Sequence, residues 1–181
     1  MNLPNLLTIA RILLVPVVVW LLMSGLYMAA FWLFVLAGVT DGVDGYLARR
    51  WNQRTLLGSY LDPLADKALL VSIYVTLGFV GELPRWLVIA VVFRDLLIVG
   101  AFMLSWIIGR PMQVAPLFVS KANTAAQIVF AAIVLGAKGY ALDLAGLEQA
   151  FGIVVAALTV LSTAAYLAAW MRHMTRPEPV S

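Results

Sequence analysis

Residues 41–66 read DGVDGYLARRWNQRTLLGSYLDPLAD, placing four carboxylates, Asp41, Asp44, Asp62 and Asp66, in a chain that is 64% hydrophobic. Ionised groups in such surroundings carry a large desolvation cost and need a partner. Asp41 and Asp44 are three residues apart and Asp62 and Asp66 four apart, so on helices each pair shares one face. Two such faces turned together would make a cluster of oxygen ligands. Left alone, four like charges in low dielectric would mostly take up protons, and a divalent cation is the plain remedy. Oxygen donors without Cys, and with His173 as the lone histidine, favour a hard ion, Mg2+ first with Mn2+ or Ca2+ behind. The competing reading is an ion-pair network with Arg49, Arg50 and Lys67. Gly45, Ala48 and Gly58, each about one helical turn from an acid, favour the ligand site, because small residues admit a ligand or a close helix.

The rest of the chain reads as membrane protein. Only 12% of its 181 residues are charged and its mean hydropathy is +0.99. Apolar runs of bilayer-spanning length recur from end to end. The net charge of +3 gives no reason to expect a nucleic-acid partner. The absence of Cys excludes disulfides and thiolate chemistry, and one histidine excludes a multi-histidine metal site. No small-residue cleavage site follows the first apolar run, which therefore reads as a retained helix. The expected fold is all-α and integral to the membrane, with six transmembrane helices in one domain over residues 1–175 and a short polar tail, 176–181.

Pro4 and Asn5 open the first helix, with Asn5 as its cap and an interfacial N-terminal segment before the membrane is entered near Ile12. Asn5, Thr8 and Arg11 recur at nearly one-turn spacing as a polar stripe, either interfacial decoration or the wall of a headgroup site. SGL at 24–26 predicts a tight turn, and the second helix spans 27–50 with the acids at its far end. A third helix covers 57–80, with Pro63 marking a kink or a helix start. GELPR at 81–85 is the next turn. Helix four, 86–108, carries Arg94 and Asp95, a charged pair unlikely to face lipid. Helix five covers 122–135 with Asn123, Thr124 and Gln127, and helix six covers 147–171.

Six spans would return both termini to one side. On that count Arg11, Arg49, Arg50, Arg54, Lys67, Arg110, Lys121, Arg172 and Arg176 lie on the terminal side, and Arg85 and Lys138 on the other. The bias of positive charge puts the termini and the acids in the cytoplasm, in a bacterial inner membrane. A metal site at that interface suits a reaction between a lipid and a charged partner, because divalent ions stabilise a transferring phosphoryl centre and its leaving group. The alternatives are a cation transporter, which would show acids near mid-membrane on several helices and an inverted repeat, and a catalytically silent scaffold that had lost an acid. None of these features is present in the sequence.

The spacing D-x2-D-G-x2-A-R-x8-G-x3-D-x3-D, filled at all eight fixed positions by Asp41, Asp44, Gly45, Ala48, Arg49, Gly58, Asp62 and Asp66, resembles the signature of the CDP-alcohol phosphatidyltransferase family. The resemblance implies a reaction in which an alcohol attacks the phosphorus bearing the diacylglycerol of a CDP-linked lipid and CMP leaves. It implies that Asp41, Asp44 and Asp62 hold metal, two Mg2+ or Mn2+ ions, with Asp66 beside them as proton acceptor. It assigns Gly45, Ala48, Arg49, Thr55 and Gly58 to the CDP-lipid site, joined by Asn5, Thr8 and Arg11. It further implies membrane lipids as partners and a homodimer.

The acceptor is set elsewhere. FVSKANTAAQIV, from Phe118, resembles the family members that use phosphatidylglycerol and make cardiolipin, whereas those using glycerol 3-phosphate usually carry Arg-Glu where this chain has Arg94-Asp95. Arg94, Arg110, Lys121 and Asn123 are the candidate acceptor-binding residues. Phosphatidylglycerol is the first acceptor on this reading and glycerol 3-phosphate the alternative.

Overall fold

The structure, a computed structural model, describes the backbone of residues 3–50, 56–108 and 118–174, and side chains for 9–40, 65, 67–101, 103–105, 107–108 and 118–173. Six helices follow one another: α1 (Leu3–Met23), α2 (Tyr27–Arg50), α3 (Leu56–Phe79), α4 (Arg85–Ile107), α5 (Phe118–Gly139) and α6 (Ala145–Met174). α1 starts earlier than expected and takes Pro4 into its first turn, where a missing N–H costs nothing. α3 runs through Pro63, having begun seven residues before it, so Pro63 is not the helix start. α5 extends four residues beyond the expected range at each end.

The expectation of six membrane spans is corrected. Among the described residues three stretches are long and apolar enough to cross a bilayer: Arg85–Ser105, Phe118–Gly139 and Ala145–His173, with hydropathies of 2.4, 1.5 and 2.0. Within the described residues the apolar parts of α1 to α3 are shorter, Ile9–Met23, Tyr27–Thr40 and Lys67–Phe79, in the class of 10–17 residues. At 1.5 Å per residue these cover at most about 25 Å, short of a hydrocarbon core of about 30 Å. These three helices also carry the polar motifs. Asn5, Thr8 and Arg11 occupy one end of α1, Asp41, Asp44 and Arg49 one end of α2, and Asp62, Asp66 and Lys67 the first half of α3. The chain is thus a multi-pass membrane protein in which α4, α5 and α6 qualify as spans.

Two compact units make up the chain. The first contains Met1–Arg85 and Ala131–Glu148. In it α1 packs against both α2 and α3. Val18 and Leu22 of α1, Ala30, Phe34 and Ala37 of α2, and Leu69, Leu70, Ile73, Tyr74 and Leu77 of α3 are buried at helical spacing. Val134 and Leu135 of α5 join this core.

Three helices of this unit end in the same way. Leu26 N–H donates to Leu21 C=O at 2.9 Å and Gly25 N–H to Leu22 C=O at 3.1 Å, a left-handed cap with Gly25 at φ 73°. Gly81, at φ 86°, does the same after α3, with Glu82 N–H donating to Leu77 C=O at 2.8 Å. After α5 the position belongs to Ala141, at φ 53°, with Leu142 N–H on Ala137 C=O at 2.8 Å. Ala141 carries a Cβ where glycine would have none, so it holds the conformation at a steric cost. The Asp143 carboxylate then accepts from Ala145 N–H at 3.4 Å, and Glu148 sits in the first turn of α6, both favourable at a helix start.

The second unit contains Trp86–Phe130 and Gln149–Ser181. Its buried residues include Leu87, Val88, Val91, Phe130 and Val155, together with an unusual number of polar groups, Arg94, Asp95, Ser105, Asn123, Gln127, Thr159 and Ser162.

Candidate active site

α2 and α3 carry the acid motif. The backbone is continuous helix at Asp41 and Asp44 in α2 and at Asp62 and Asp66 in α3, so each pair occupies one helix face as its spacing requires. Residues 51–55 connect the two helices, and Asp44 stands seven residues before that connection and Asp62 seven after it. Gly45, Ala48 and Arg49 belong to the same last turns of α2, and Gly58 to the first turn of α3. The side chains of these residues, and Thr55 altogether, lie outside the described residues, as does Arg110.

α1 and α2 form a hairpin across the 24–26 turn, and the two helices are packed together. Counting equal rises from that turn brings Arg11 level with Val39, Thr8 level with Gly42 and Asn5 level with Gly45. The N-terminal polar stripe and the first acid pair therefore share one end of the hairpin. Arg11 is only 5% exposed and lies on the same α1 face as buried Val18 and Leu22, seven and eleven residues on. It is a core-facing cation. The side chains of Asn5 and Thr8 are outside the described residues.

In the second unit Arg94 is 3% exposed and meets three helices. Its Nη1 donates to Asp95 Oδ1 at 2.7 Å, its Nε and Nη2 donate to Ser162 Oγ of α6 at 3.1 and 2.7 Å, and Nη2 also donates to Ser120 Oγ of α5. The guanidinium carbon lies 5.9 Å from the centre of the Tyr166 ring, within cation–π range. Arg94 thus comes with its counter-ion as its chain neighbour and spends its donors on protein oxygens. Asn123 is fully buried, and Thr159 Oγ1 donates to its Oδ1 at 3.2 Å. Neither Arg94 nor Asn123 reaches solvent, whereas Lys121, next to Ser120, is exposed. Trp170 Nε1 donates to Ser105 Oγ at 3.1 Å, a further tie between α6 and α4.

Of the candidate acceptor residues, then, the second unit brings Arg94 beside the residue preceding Lys121 and buries Asn123 on Thr159. Sequence reasoning missed Thr159, Ser162 and Tyr166 as partners of these groups. Their signal was present: three polar-capable residues on one face within the apolar middle of α6, where a hydroxyl facing lipid has nothing to bond.

A profile of the CDP-alcohol phosphatidyltransferase family matches residues 1–171. A probable cardiolipin synthase (CMP-forming) of Drosophila melanogaster is 37% identical over 153 residues, 76% of this chain and 48% of that protein. The cardiolipin synthase (CMP-forming) of Homo sapiens is 37% identical over 152 residues, 75% of this chain and 50% of that protein. The chain spans about half the length of these relatives. A CDP-diacylglycerol–glycerol-3-phosphate 3-phosphatidyltransferase of Salmonella typhimurium is 35% identical over 176 residues, 93% of this chain and 94% of that protein. The full acid motif on two consecutive helices and a match over nearly the whole sequence lead to one conclusion: the chain belongs to the CDP-alcohol phosphatidyltransferase family.

Proposed function

We propose that the protein transfers a phosphatidyl group from CDP-diacylglycerol to a hydroxyl of phosphatidylglycerol, giving cardiolipin and CMP. The observation that carries the phosphatidyl-transfer half is the complete eight-position acid motif, set on the ends of α2 and α3 that lead into one short connection. The donor set fits a hard divalent ion: four carboxylates at i, i+3 and i, i+4, and no softer ligand nearby. Asp41, Asp44 and Asp62 would hold Mg2+, with Asp66 adjacent. Bound there, the metal supplies charge neutralisation for the diphosphate and for departing CMP.

The chain's own residues divide the remaining work. Asp66 accepts the proton of the acceptor hydroxyl as its oxygen bonds to the phosphorus bearing the diacylglycerol. The bond from that phosphorus to the CMP oxygen breaks, and CMP leaves with the electron pair. Arg49 and Arg11 offer guanidinium donors to the diphosphate, and Gly45, Ala48 and Gly58 leave room for it. Asn5, Thr8 and Thr55 complete the CDP-lipid site. Arg49, Arg50, Arg54 and Lys67 flank the motif in sequence, which supports a cytoplasmic position for this end. The end-to-end match to bacterial relatives supports the inner membrane of a bacterium.

The acceptor assignment rests on cation supply. A phosphomonoester such as glycerol 3-phosphate needs several free donors, and the guanidinium of Arg94 is engaged with Asp95, Ser120 and Ser162. Lys121, with Arg110, then suits the single charge of a phosphodiester better. Identity to the Drosophila and human cardiolipin synthases points the same way. The match to the Salmonella transferase over nearly both full lengths favours a second reading, glycerol 3-phosphate as acceptor. Purified protein with CDP-diacylglycerol and Mg2+, offered the two acceptors separately, decides between them. The expected result is CMP release with phosphatidylglycerol and a cardiolipin product by thin-layer chromatography. Release with glycerol 3-phosphate alone would replace the first acceptor by the second, and release with neither would remove the transferase reading.

A further inference from the structure

The end of α2 opposite the acids also has a built site. Tyr27 Oη donates to Glu82 Oε1 at 3.3 Å, and the Lys138 ammonium is 2.5 Å from Glu82 Oε2. These contacts tie the start of α2, the α3–α4 turn and the last turn of α5 into one cluster. Beside it lies a cavity of about 480 Å³, lined by Tyr27, Met28, Ala29, Trp32, Lys138 and Gly139 among others. That volume falls within the range of small-ligand sites. Its walls are fixed. Trp32 Nε1 donates to Tyr140 Oη at 3.0 Å, and Phe31 stands edge-on to both rings. A Cβ on Gly139 would come within 2.8 Å of Met28 Cα, so a glycine lets α5 approach α2 here.

The level of the cavity follows from its neighbours. Residues 140–144 join two helices of bilayer-spanning length, α5 and α6, by a short turn. Such a turn lies at a membrane surface, so Lys138 and the cavity stand at headgroup height. From Tyr27 to Asp41 is fourteen residues along α2, about 21 Å, which separates the cavity from the acid motif.

The charges choose the occupant. An ammonium has three N–H donors, and the Glu82 contact takes one, leaving Lys138 donors for a phosphate. Glu82 and, by field, Glu148 add two carboxylates close to that one cation. Two acids around one amine disfavour an anionic headgroup and favour one that carries its own cation. The exposed indole of Trp32, 51% accessible, offers a face to an ammonium and a wall to an acyl chain.

We propose that this cavity binds a zwitterionic phospholipid, its phosphate on Lys138, its ammonium towards Glu82 and its chain along Met28 and Trp32. The site is separate from the transfer chemistry and does not depend on which acceptor is used.

Native mass spectrometry of the full chain in mild detergent tests it, with phosphatidylethanolamine and phosphatidylglycerol of matched chains added separately. One phosphatidylethanolamine is expected to survive collisional activation in the wild type, with about tenfold weaker retention, a 1.4 kcal/mol change, in Ala29→Phe, which fills the cavity and leaves the ion pair intact. Lys138→Ala should lose retention similarly, and Glu82→Gln should move the preference towards phosphatidylglycerol. CMP release should stay within about twofold of wild type in Ala29→Phe, which separates this site from the transfer site. Unchanged phosphatidylethanolamine retention in Ala29→Phe overturns the proposal, as does equal loss of both lipids.

Discussion

The acid motif of the first unit and the Arg94 network of the second are two ways of keeping charge in an apolar chain. Arg94 is satisfied from within: its neighbour Asp95, two serines from two other helices and the Tyr166 ring account for the guanidinium. Such a group holds helices together. The motif instead gathers four carboxylates within 26 residues, paired at three- and four-residue spacing on two consecutive helices, with Lys67 next to Asp66 in sequence. On the proposed function, acids paired at one-turn spacing are completed by an arriving divalent ion. The contrast separates structural charge from working charge.

Breaking the working side should have the largest effect. Asp66→Asn is expected to lower CMP release by about 10²–10⁴-fold, the usual range for a general base, while CDP-diacylglycerol still binds. Calorimetric titration with the CDP-lipid alongside the release assay checks this, and parallel loss of binding and turnover would remove Asp66 as the base. Breaking the structural side should instead unfold. Arg94→Ala breaks the buried ion pair with Asp95 and the ties to Ser120 and Ser162, and is expected to cost about 3–5 kcal/mol, read as a lower melting temperature in detergent. An Arg94→Ala protein that melts like wild type but has lost acceptor binding would turn Arg94 into a working charge and collapse the comparison.

Smaller changes sharpen it. Lys121→Ala should raise the acceptor KM about tenfold, the loss of one charge-assisted contact, with kcat and melting temperature unaltered. An unchanged KM would take Lys121 out of the acceptor site. Ala141→Gly removes a Cβ from a left-handed position and should stabilise the first unit by about 1 kcal/mol without touching turnover. A lower melting temperature in that variant would show that the Ala141 methyl contributes packing that outweighs the strain.

Helix existence and order were legible because apolar runs, Gly25 and Gly81 mark the elements and their turns in plain sequence. The α5–α6 turn was not marked in the same way, because its left-handed residue is Ala141 and alanine gives no turn signal. Span number was misread since mean hydropathy counts apolar residues wherever they fall, whereas crossing needs them uninterrupted. In the site, the motif spacing carried the acids onto the right helices. The partners of Arg94 were hidden, because Ser162 is 68 residues away and only packing brings it within 2.7 Å.

The first unit is discontinuous: Met1–Arg85 is completed by Ala131–Glu148. This has a consequence for synthesis, which proceeds from the N-terminus. When α1, α2 and α3 with the whole acid motif have emerged from the ribosome, Glu82 still lacks Lys138, and Phe31 still lacks Gly136. The helices that carry the motif must therefore wait, inserted but unfinished, for a segment made some fifty residues later. A nascent chain stopped before Ala131 would carry every residue of the motif and still lack the helix that closes its unit.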